Sequence, residues 1–186
     1  MTERFPIHTA ESAPEGAEAP IRQATEAFGF LPNLIGTMST SPALAEAYLA
    51  LWDIFQRKTD LTDAEQHVVV LTVSRFHECR YCMAAHSTTA GMAGVDREVV
   101  DALREDRPIN DSRLEALRRV THEMVVERGR PSGEALASFY AAGFEPRHLL
   151  DVVVGVGHKV LSNYTNHLTD TPTDKPMQAN AWEAPA

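Results

Sequence analysis

Residues 61–90, LTDAEQHVVVLTVSRFHECRYCMAAHSTTA, decide the fold class of this 186-residue chain. Thr62, with Glu65 three residues later, has the pattern of a capping box, which marks the first turn of a helix. The run 67–73 is rich in β-branched residues and could form a buried strand, and a strand before C-x-x-C is typical of a thioredoxin-like unit. We favour a helix, because the capping box lies just upstream and no turn signal follows.

Other helix-start signals lie on both sides of this stretch. Ser41 before Pro42 has the N-cap pattern with proline at the first helical position. Ser112 with Glu115 repeats the capping-box pattern and begins an apolar stripe, and Pro146 opens the last candidate helix. That last candidate runs through Leu149, Leu150, Val153, Val156, Val160, Leu161 and Tyr164. The signals predict an all-α domain of about seven or eight helices.

The two ends of the chain are richer in proline than the middle. Prolines stand at Pro6, Pro14, Pro20, Pro172, Pro176 and Pro185. We therefore predict an N-terminal arm at residues 1–19, one helical domain at 20–170 and a C-terminal arm at 171–186. Composition does not decide whether such arms are disordered or wrap a neighbouring subunit.

The charge balance argues against anionic partners. There are 17 basic and 26 acidic residues, a net charge of −9 with neutral histidine. An acidic protein is repelled by phosphate backbones and anionic membrane surfaces, so we expect neither nucleic acid nor membrane as a partner. No apolar run approaches the roughly 20 residues that cross a bilayer, and the first residues lack a signal-peptide pattern. The expected location is the cytoplasm.

Cys79 and Cys82 are the only cysteines in the sequence, and they form a C-x-x-C pair. A cross-link that closes so short a loop would stabilise the fold by only roughly 2 kcal/mol. A reducing cytosol would also open an ordinary disulfide. Redox chemistry and metal binding therefore remain as the reasons for the pair.

The spacing of Cys79, Cys82 and His86 along the sequence favours redox chemistry. If a helix begins at Cys79, then Cys82 and His86 fall on the same face, because 100° per residue brings His86 to within about 20° of two full turns. His86 is four residues after Cys82, so its imidazole can approach the sulfur as a base. Cys79, in the first turn, lies at the positive end of the helix dipole, which lowers a thiol pKa. On this reasoning either cysteine could be the nucleophile.

A zinc site is the alternative explanation of the cysteines. His77 or His67 could supply a further ligand, although the sequence has no second C-x-x-C and no H-x-x-x-H pair. Glu65 could act as a proton relay, but its position in the capping box favours a structural role. A third hypothesis is a non-catalytic helical oligomer whose thiols sense oxidation.

The signature C-x-x-C-x-x-x-H at Cys79, Cys82 and His86 resembles that of the AhpD-like alkylhydroperoxidase family, within the carboxymuconolactone decarboxylase superfamily. Segments 28–34 (FGFLPNL) and 161–167 (LSNYTNH) are also similar to that family. The resemblance spans roughly residues 20–172. It implies an all-helical AhpD-like fold, an obligate homo-oligomer, and a peroxidase or thiol–disulfide oxidoreductase without haem, flavin or metal. It further implies that Cys82 becomes a sulfenic acid, Cys79 is its proton donor and disulfide partner, and His86 belongs to a proton relay.

Two positions depart from the family pattern. The relay glutamate of the family lies twelve residues before the first cysteine, and His67 occupies that position here. An imidazole also transfers protons near neutral pH, so we include His67 among the candidate catalytic residues. In a straight helix His67 would lie about 18 Å along the axis from Cys79. The relay therefore requires a chain reversal near residues 76–78, where His77 and Glu78 replace the usual Asn-Gly.

The sequence thus favours a cysteine-based peroxidase for small hydroperoxides, with Cys82, Cys79, His86 and His67 as catalytic residues and no cofactor. The expected partners are the hydroperoxide, a dithiol reductant such as a lipoyl or thioredoxin-like protein, and further copies of the chain. The thiol sensor and the zinc-binding oligomer are the alternatives. Lactone decarboxylation ranks lowest, because decarboxylases of this superfamily typically lack the cysteine pair.

Overall fold

The computed structural model of the chain describes residues 4–184. Within this range the structure has nine α-helices, the 3-10 helix Lys175–Asn180 and no β-strand. The all-α prediction is confirmed, but the expected count of seven or eight is too low, because helices as short as α2 carry no periodic pattern. The helices are α1 (Glu18–Phe28), α2 (Asn33–Met38), α3 (Pro42–Lys58), α4 (Asp63–Phe76), α5 (Arg80–Met92), α6 (Arg97–Glu105), α7 (Ser112–Val126), α8 (Gly133–Ala141) and α9 (Pro146–Thr169).

The valine-rich run 67–73 is helical, as predicted, and belongs to α4. Both hydrogen bonds of the capping box are formed: Glu65 N donates to Thr62 Oγ1 at 3.3 Å, and Thr62 N donates to Glu65 Oε2 at 2.8 Å. Arg113 Nε also binds the buried Glu65 carboxylate, at 2.8 Å. The carboxylate is thus fully used in fixing the start of α4, which confirms the structural role of Glu65.

Helix starts are confirmed at Pro42 and Pro146, but the cap of α7 differs from the prediction. Asp111, one residue earlier than expected, is the N-cap, and its side chain accepts from Arg113 N and Leu114 N at 2.9 and 3.0 Å. Ser112 is the first helical residue rather than the cap. A carboxylate is also favoured by the positive end of the helix dipole, which explains why aspartate caps α7.

Helices α4 and α9 form the centre of the fold. Helix α4 packs against α5, α6, α7 and α9, and α3 packs along α9 and also touches α4. The core around α4 includes Phe55, Val68, Val69, Leu71, Met83, Leu117, Val120, Phe139 and Val152, all essentially inaccessible to solvent. The side chains that α4, α5 and α9 direct toward one another form the site described below.

The close approach of α9 to α3 and α4 depends on Gly155. A Cβ at this position would lie 2.7 Å from both Phe55 Cε2 and Val69 Cγ1. We expect Gly155→Ala to lower the free energy of unfolding by about 1–3 kcal/mol through overpacking. Gly157→Ala is the matched control, because no atom lies within 4 Å of its added Cβ. The greater helix propensity of alanine should raise stability there by up to about 1 kcal/mol. Equal urea midpoints for the two variants would contradict this account.

Helix α9 buries many polar side chains. Its buried residues include His148, His158, Lys159, Ser162, Asn163, Thr165, Asn166 and Thr169. Several apolar residues of the same helix face outward instead, with Leu150 at 67% and Leu168 at 65% exposure, and Val153 and Tyr164 about half exposed. Burying polar side chains costs free energy unless they find hydrogen-bond partners. A helix that buries so many of them therefore indicates a functional site.

Both ends of the described chain pack against the helical body. His8 N donates to Gly36 O at 3.1 Å near the start. At the other end, Arg104 donates to the Asn180 and Ala181 carbonyls, and Trp182 Nε1 donates to Arg104 O at 3.2 Å. The predicted arm limits remain a prediction, and residues 1–3 and 185–186 of those arms lie outside the described range. Across residues 4–184, the helices are too short or too polar to traverse a bilayer.

Candidate active site

The corner between α4 and α5 delivers the two cysteines. Helix α4 ends at Phe76, His77 is its C-cap, and Glu78 has a left-handed backbone with φ of 54°. This conformation costs a non-glycine residue about 1–2 kcal/mol. Cys79 then caps α5. The chain reversal predicted at residues 76–78 is therefore confirmed.

The two thiols are reduced and buried side by side at the start of α5. Cys79 and Cys82 are each 1% exposed. Cys79 is the N-cap, and its sulfur accepts from Cys82 N at 3.4 Å. Asn166 of α9 reaches both sulfurs, with its Nδ2 3.3 Å from Cys82 Sγ and 3.6 Å from Cys79 Sγ. One amide group thus donates toward both members of the pair.

A buried lysine of α9 completes the surroundings of Cys82. Lys159 is 1% exposed, and its Nζ donates to Ser162 Oγ at 2.9 Å, which in turn lies 3.8 Å from Cys82 Sγ. Across residues 4–184, no salt bridge pairs Lys159 with a carboxylate. A buried ammonium requires a compensating negative charge. The thiolate of Cys82 is the anion positioned to supply it.

The two thiols differ in acidity. Burial alone would raise the pKa of Cys82, but the neighbouring Cys79 thiol, the Lys159 charge and the Ser162 hydroxyl together lower that pKa to about 5. The pKa of Cys79 is raised, first by its interaction with Cys82 and then by burial. At neutral pH the site therefore holds a Cys82 thiolate beside a Cys79 thiol. This asymmetry favours Cys82 as the nucleophile, a choice that spacing alone left open.

His86 lies on the predicted face of α5, but its neighbour is not the one expected. Its Nε2 accepts from Lys159 Nζ at 2.7 Å. In the described part of the chain, no hydrogen bond joins His86 to Cys82, so the role of His86 as the base that ionises Cys82 remains a prediction. Burial first, and the Lys159 charge second, hold the pKa of His86 well below its usual value. A neutral His86 supports the ammonium, and Lys159 and Ser162 link it to the thiolate.

The neighbour of His67 in the site is His86 rather than either cysteine. Its ring centroid is 6.4 Å from that of His86, in an edge-on arrangement. Burial lowers the pKa of His67, partly offset by Asp63, and its Nδ1 atom is buried without a hydrogen-bond partner among the described residues. The chain reversal between α4 and α5 thus brings His67 next to His86. Its participation in a relay remains a prediction.

The zinc alternative is not supported by the positions of the histidines. His77 Nδ1 lies 2.9 Å from Asn163 Oδ1, and His67 adjoins His86. Across residues 4–184, no three side chains of the types His, Cys, Asp and Glu are grouped so that they could hold a metal ion. The expected additional ligands therefore do not join the cysteines.

A cavity of about 380 Å³ opens beside Cys79. It is lined by His77, Glu78, Cys79, Arg80, Tyr81, Asn166, His167, Asp170 and Thr171. Cys82 is absent from this lining. The Tyr81 hydroxyl, between the two cysteines in sequence, donates to Asp174 at 2.5 Å and accepts from Leu34 N at 3.4 Å, so Tyr81 anchors the cavity wall.

Sequence reasoning did not identify the α9 half of the site. Lys159, Ser162 and Asn166 supply three of the groups around the sulfurs. The segment 161–167 contributed to the family resemblance, but no role was assigned to its polar residues. The available signal was a run of polar residues inside a helix, and its position opposite the cysteines follows only from the fold.

The comparisons with known proteins agree with this architecture. Residues 42–123 match the carboxymuconolactone decarboxylase family. No curated protein gives a significant match.

The solved structures that resemble the chain cover nearly all of it. A peroxidase-related protein from Ralstonia eutropha JMP134 with an alkylhydroperoxidase AhpD core has a TM-score of 0.80 at 19% identity, covering 94% of this chain and 93% of that chain. A peroxidase-related protein from Silicibacter sp. TM1040 has a TM-score of 0.78 at 17% identity, over 95% and 93%. The debrominase Bmp8 has a TM-score of 0.78 at 18% identity, over 95% and 94%, and was also solved as a cysteine-to-alanine variant with 2,3,4-tribromopyrrole. At such identities the likeness concerns the fold.

Proposed function

We propose that this chain, a member of the carboxymuconolactone decarboxylase superfamily with the AhpD-like fold, is a cysteine-based peroxidase that reduces small organic hydroperoxides. The observation that carries the proposal is the buried pair of Cys79 and Cys82, with Asn166 and Ser162 beside Cys82 and the buried Lys159 bonded to Ser162. These surroundings lower the pKa of Cys82 and leave Cys79 as the protonated partner. A thiolate next to a protonated thiol is the combination that peroxide reduction and disulfide closure require.

In the first step the Cys82 thiolate attacks the peroxide oxygen. The O–O bond breaks, Cys82 becomes a sulfenic acid, and the departing alkoxide takes the proton of Cys79 to leave as an alcohol. The newly formed Cys79 thiolate then attacks Cys82 Sγ, and hydroxide leaves as the disulfide forms. Disulfide formation removes the anion that balances Lys159, so the Lys159–His86 pair is placed to protonate the hydroxide to water. A dithiol reductant returns two electrons and completes the cycle.

The test is hydroperoxide consumption in the presence of a dithiol. Wild-type protein should turn over repeatedly, and one equivalent of hydroperoxide should remove both titratable thiols of the chain. Cys82→Ser should lose turnover entirely, because a serine hydroxyl is not ionised near neutral pH. Circular dichroism of the variant checks that it is folded. Equal consumption by wild type and Cys82→Ser would end the proposal.

The same assay separates the rival functions. A thiol sensor would be oxidised once by hydroperoxide without efficient recycling by a dithiol. A zinc-binding protein would carry stoichiometric metal after purification under reducing conditions. Reductive dehalogenation is a second candidate, suggested by the debrominase of similar fold, and would release bromide from 2,3,4-tribromopyrrole at the expense of the dithiol. Lactone decarboxylation remains the least favoured, since it makes no use of the cysteine pair.

We also propose that copies of the chain associate through the exposed apolar side of α9. At 100° per residue the exposed residues fall within about 60° of one another around the helix axis. They are Leu150, Val153, Tyr164 and Leu168. A contiguous apolar stripe on a helix surface is typical of an interface. A cytoplasmic location also remains a proposal, because the cycle needs a supply of reduced dithiol.

Light scattering tests this association. The wild-type protein should have a mass at least twice the 20.5 kDa of one chain. The double variant Leu150→Glu and Leu168→Glu should have the mass of one chain. Met92→Glu is the control, because Met92 is an exposed apolar residue on a different helix. A monomeric wild type would contradict the proposal.

A further inference from the structure

A smaller cavity of about 120 Å³ lies among α4, α6 and α7. Its lining comes from the end of α4, the end of α6 and the middle of α7: Thr72, Arg75, Phe76, Leu103, Asp106, Arg118 and His122. It shares no lining residue with the cavity beside Cys79, and the proposed redox cycle uses none of its side chains. Two arginines and a histidine around so small a space favour a ligand with negative charge.

Arg75 is a half-buried cation without an anion. Its Nε donates to the Arg104 carbonyl at 3.2 Å, and its guanidinium lies 5.2 Å from the centre of the Trp182 ring. Across residues 4–184 it forms no salt bridge, and its two terminal nitrogens make no hydrogen bond. Partial burial of a charge is costly without a paired charge of opposite sign. The unused donors of Arg75 therefore provide one side of an anion site.

The neighbouring charged groups do not supply the missing anion. Arg104, next to Arg75, also forms no salt bridge among the described residues and donates to one hydroxyl and two backbone carbonyls. Arg118 binds Glu115 at 2.8 Å and Asp106 at 3.5 Å, so both of these acids already have a cation. Three arginines stand beside two carboxylates, and the excess positive charge lies at Arg75 and Arg104.

His122 provides a donor from a second helix. Its half-buried ring packs edge-on against Phe76, with the ring centroids 5.8 Å apart and the planes at 82°. Within the part of the chain that the structure describes, neither ring nitrogen makes a hydrogen bond. A neutral imidazole has one N–H donor and a protonated one has two. The packing against Phe76 thus orients a ring whose polar atoms are available to a ligand.

The arrangement of the donors suits a phosphate better than a carboxylate. A guanidinium can bind two oxygens of a phosphate at once through its planar fork. A tetrahedral phosphate then still has oxygens for a donor on another side, whereas a flat carboxylate has only two oxygens in total. The volume of the cavity equals that of about four water molecules at roughly 30 Å³ each, which admits one phosphate group and no larger anion.

We propose that this cavity binds a phosphate group, with Arg75 and His122 as its ligands. The phosphate is either the free ion or the end of a small ester, whose remaining part would lie against Phe76, a residue with 41% exposure. Binding would give Arg75 the anion that it lacks. The proposal does not depend on the redox function, because the cavity and the cysteines share no side chain.

Isothermal titration calorimetry in a buffer without phosphate tests the proposal. The wild-type protein should bind inorganic phosphate with a dissociation constant of about 1 mM or lower. Arg75→Met should weaken binding roughly ten- to hundredfold, because hydrogen bonds between charged groups are lost. His122→Phe keeps the aromatic packing and removes both nitrogens, and should weaken binding about three- to tenfold. Arg130→Met, at an exposed position outside the lining, is the control and should bind as wild type does.

The remaining titrations identify the ligand class. Tighter binding of phenyl phosphate than of inorganic phosphate would indicate an ester, and the reverse order would indicate the free ion. Acetate should bind more weakly than either, and acetate binding as tight as that of phosphate would overturn the preference for a tetrahedral anion.

The variants decide whether the cavity is the site. The proposal would be overturned by an absence of saturable phosphate binding to wild type at about 10 mM. Equal affinities of wild type and a folded Arg75→Met, as judged by circular dichroism, would overturn it as well. Should Arg75→Met not fold, the comparison of wild type with His122→Phe makes the decision, since equal affinities there would exclude His122 from the site.

Discussion

Replacing Lys159 with methionine should move the pH midpoint of Cys82 alkylation from about 5 to roughly 6–8. The physical reason is that burial raises a thiol pKa, and Lys159 is one of the principal groups that oppose burial here. Methionine keeps the apolar length of the side chain and removes the charge. The lowered pKa of Cys82 means that the wild-type thiol is ionised across the neutral range, whereas the thiol of the variant would be partly protonated there.

The measurement is the rate of iodoacetamide labelling, as a function of pH, of the tryptic peptide 81–97, which contains Cys82 and not Cys79. The midpoint is more informative than a single rate, because a more basic thiolate is intrinsically more nucleophilic and partly offsets its lower abundance. Lys58→Met, at an exposed position on α3, is the control and should keep the wild-type midpoint. A midpoint near 5 in Lys159→Met would show that the lysine does not hold the thiolate.

Cys79→Ser should convert a turning-over enzyme into one that reacts once. The Cys82 thiolate remains able to attack hydroperoxide, but a serine hydroxyl cannot displace hydroxide from the sulfenic acid. Consumption should therefore stop after about one equivalent per chain, with the sulfenic acid retained on Cys82.

Dimedone, which reacts with sulfenic acids, measures this intermediate. After hydroperoxide treatment, Cys79→Ser should be labelled on peptide 81–97, and Cys82→Ser should not be labelled there. Loss of the Cys79 thiol should also raise the pKa of Cys82, since that thiol is the strongest influence that lowers it. Turnover of Cys79→Ser at the wild-type rate would contradict the assigned roles. A dithiol can reduce a sulfenic acid directly, but to do so it would have to reach the buried Cys82, so that route should be slow.

Local patterns predicted the half of the site that lies within one stretch of sequence. The capping box of Thr62 and Glu65 identified α4 as a helix despite its β-branched residues, and the required reversal near residue 77 is present. Cys79, Cys82 and His86 share the start of α5, as their spacing indicated. These features depend on interactions between residues only a few positions apart, which a sequence displays directly.

The other half of the site depends on contacts between distant residues. Lys159 meets His86 and Asn166 meets both cysteines across separations of 73 to 87 residues. Helical periodicity cannot specify such pairs, because it shows which residues share a face and not which face is buried. In α9 the usual rule is reversed, since Leu150 and Leu168 are exposed while Lys159 is buried. The hydrogen bond between His86 and Lys159 was not predicted for the same reason, since the lysine comes from another helix.

The attachment of the C-terminal segment holds one residue of the cavity wall, Tyr81, in place. Asp174 binds the Tyr81 hydroxyl and also accepts from Asn33 N at 3.1 Å, while Trp182 is fastened to Arg104. In a shortened chain that stops before Asp174, the Tyr81 hydroxyl would lose its hydrogen-bond acceptor. Tyr81 lies between Cys79 and Cys82 in the sequence. Removing this proline-rich tail, for crystallisation or for fusion to another protein, would therefore alter the candidate active site itself.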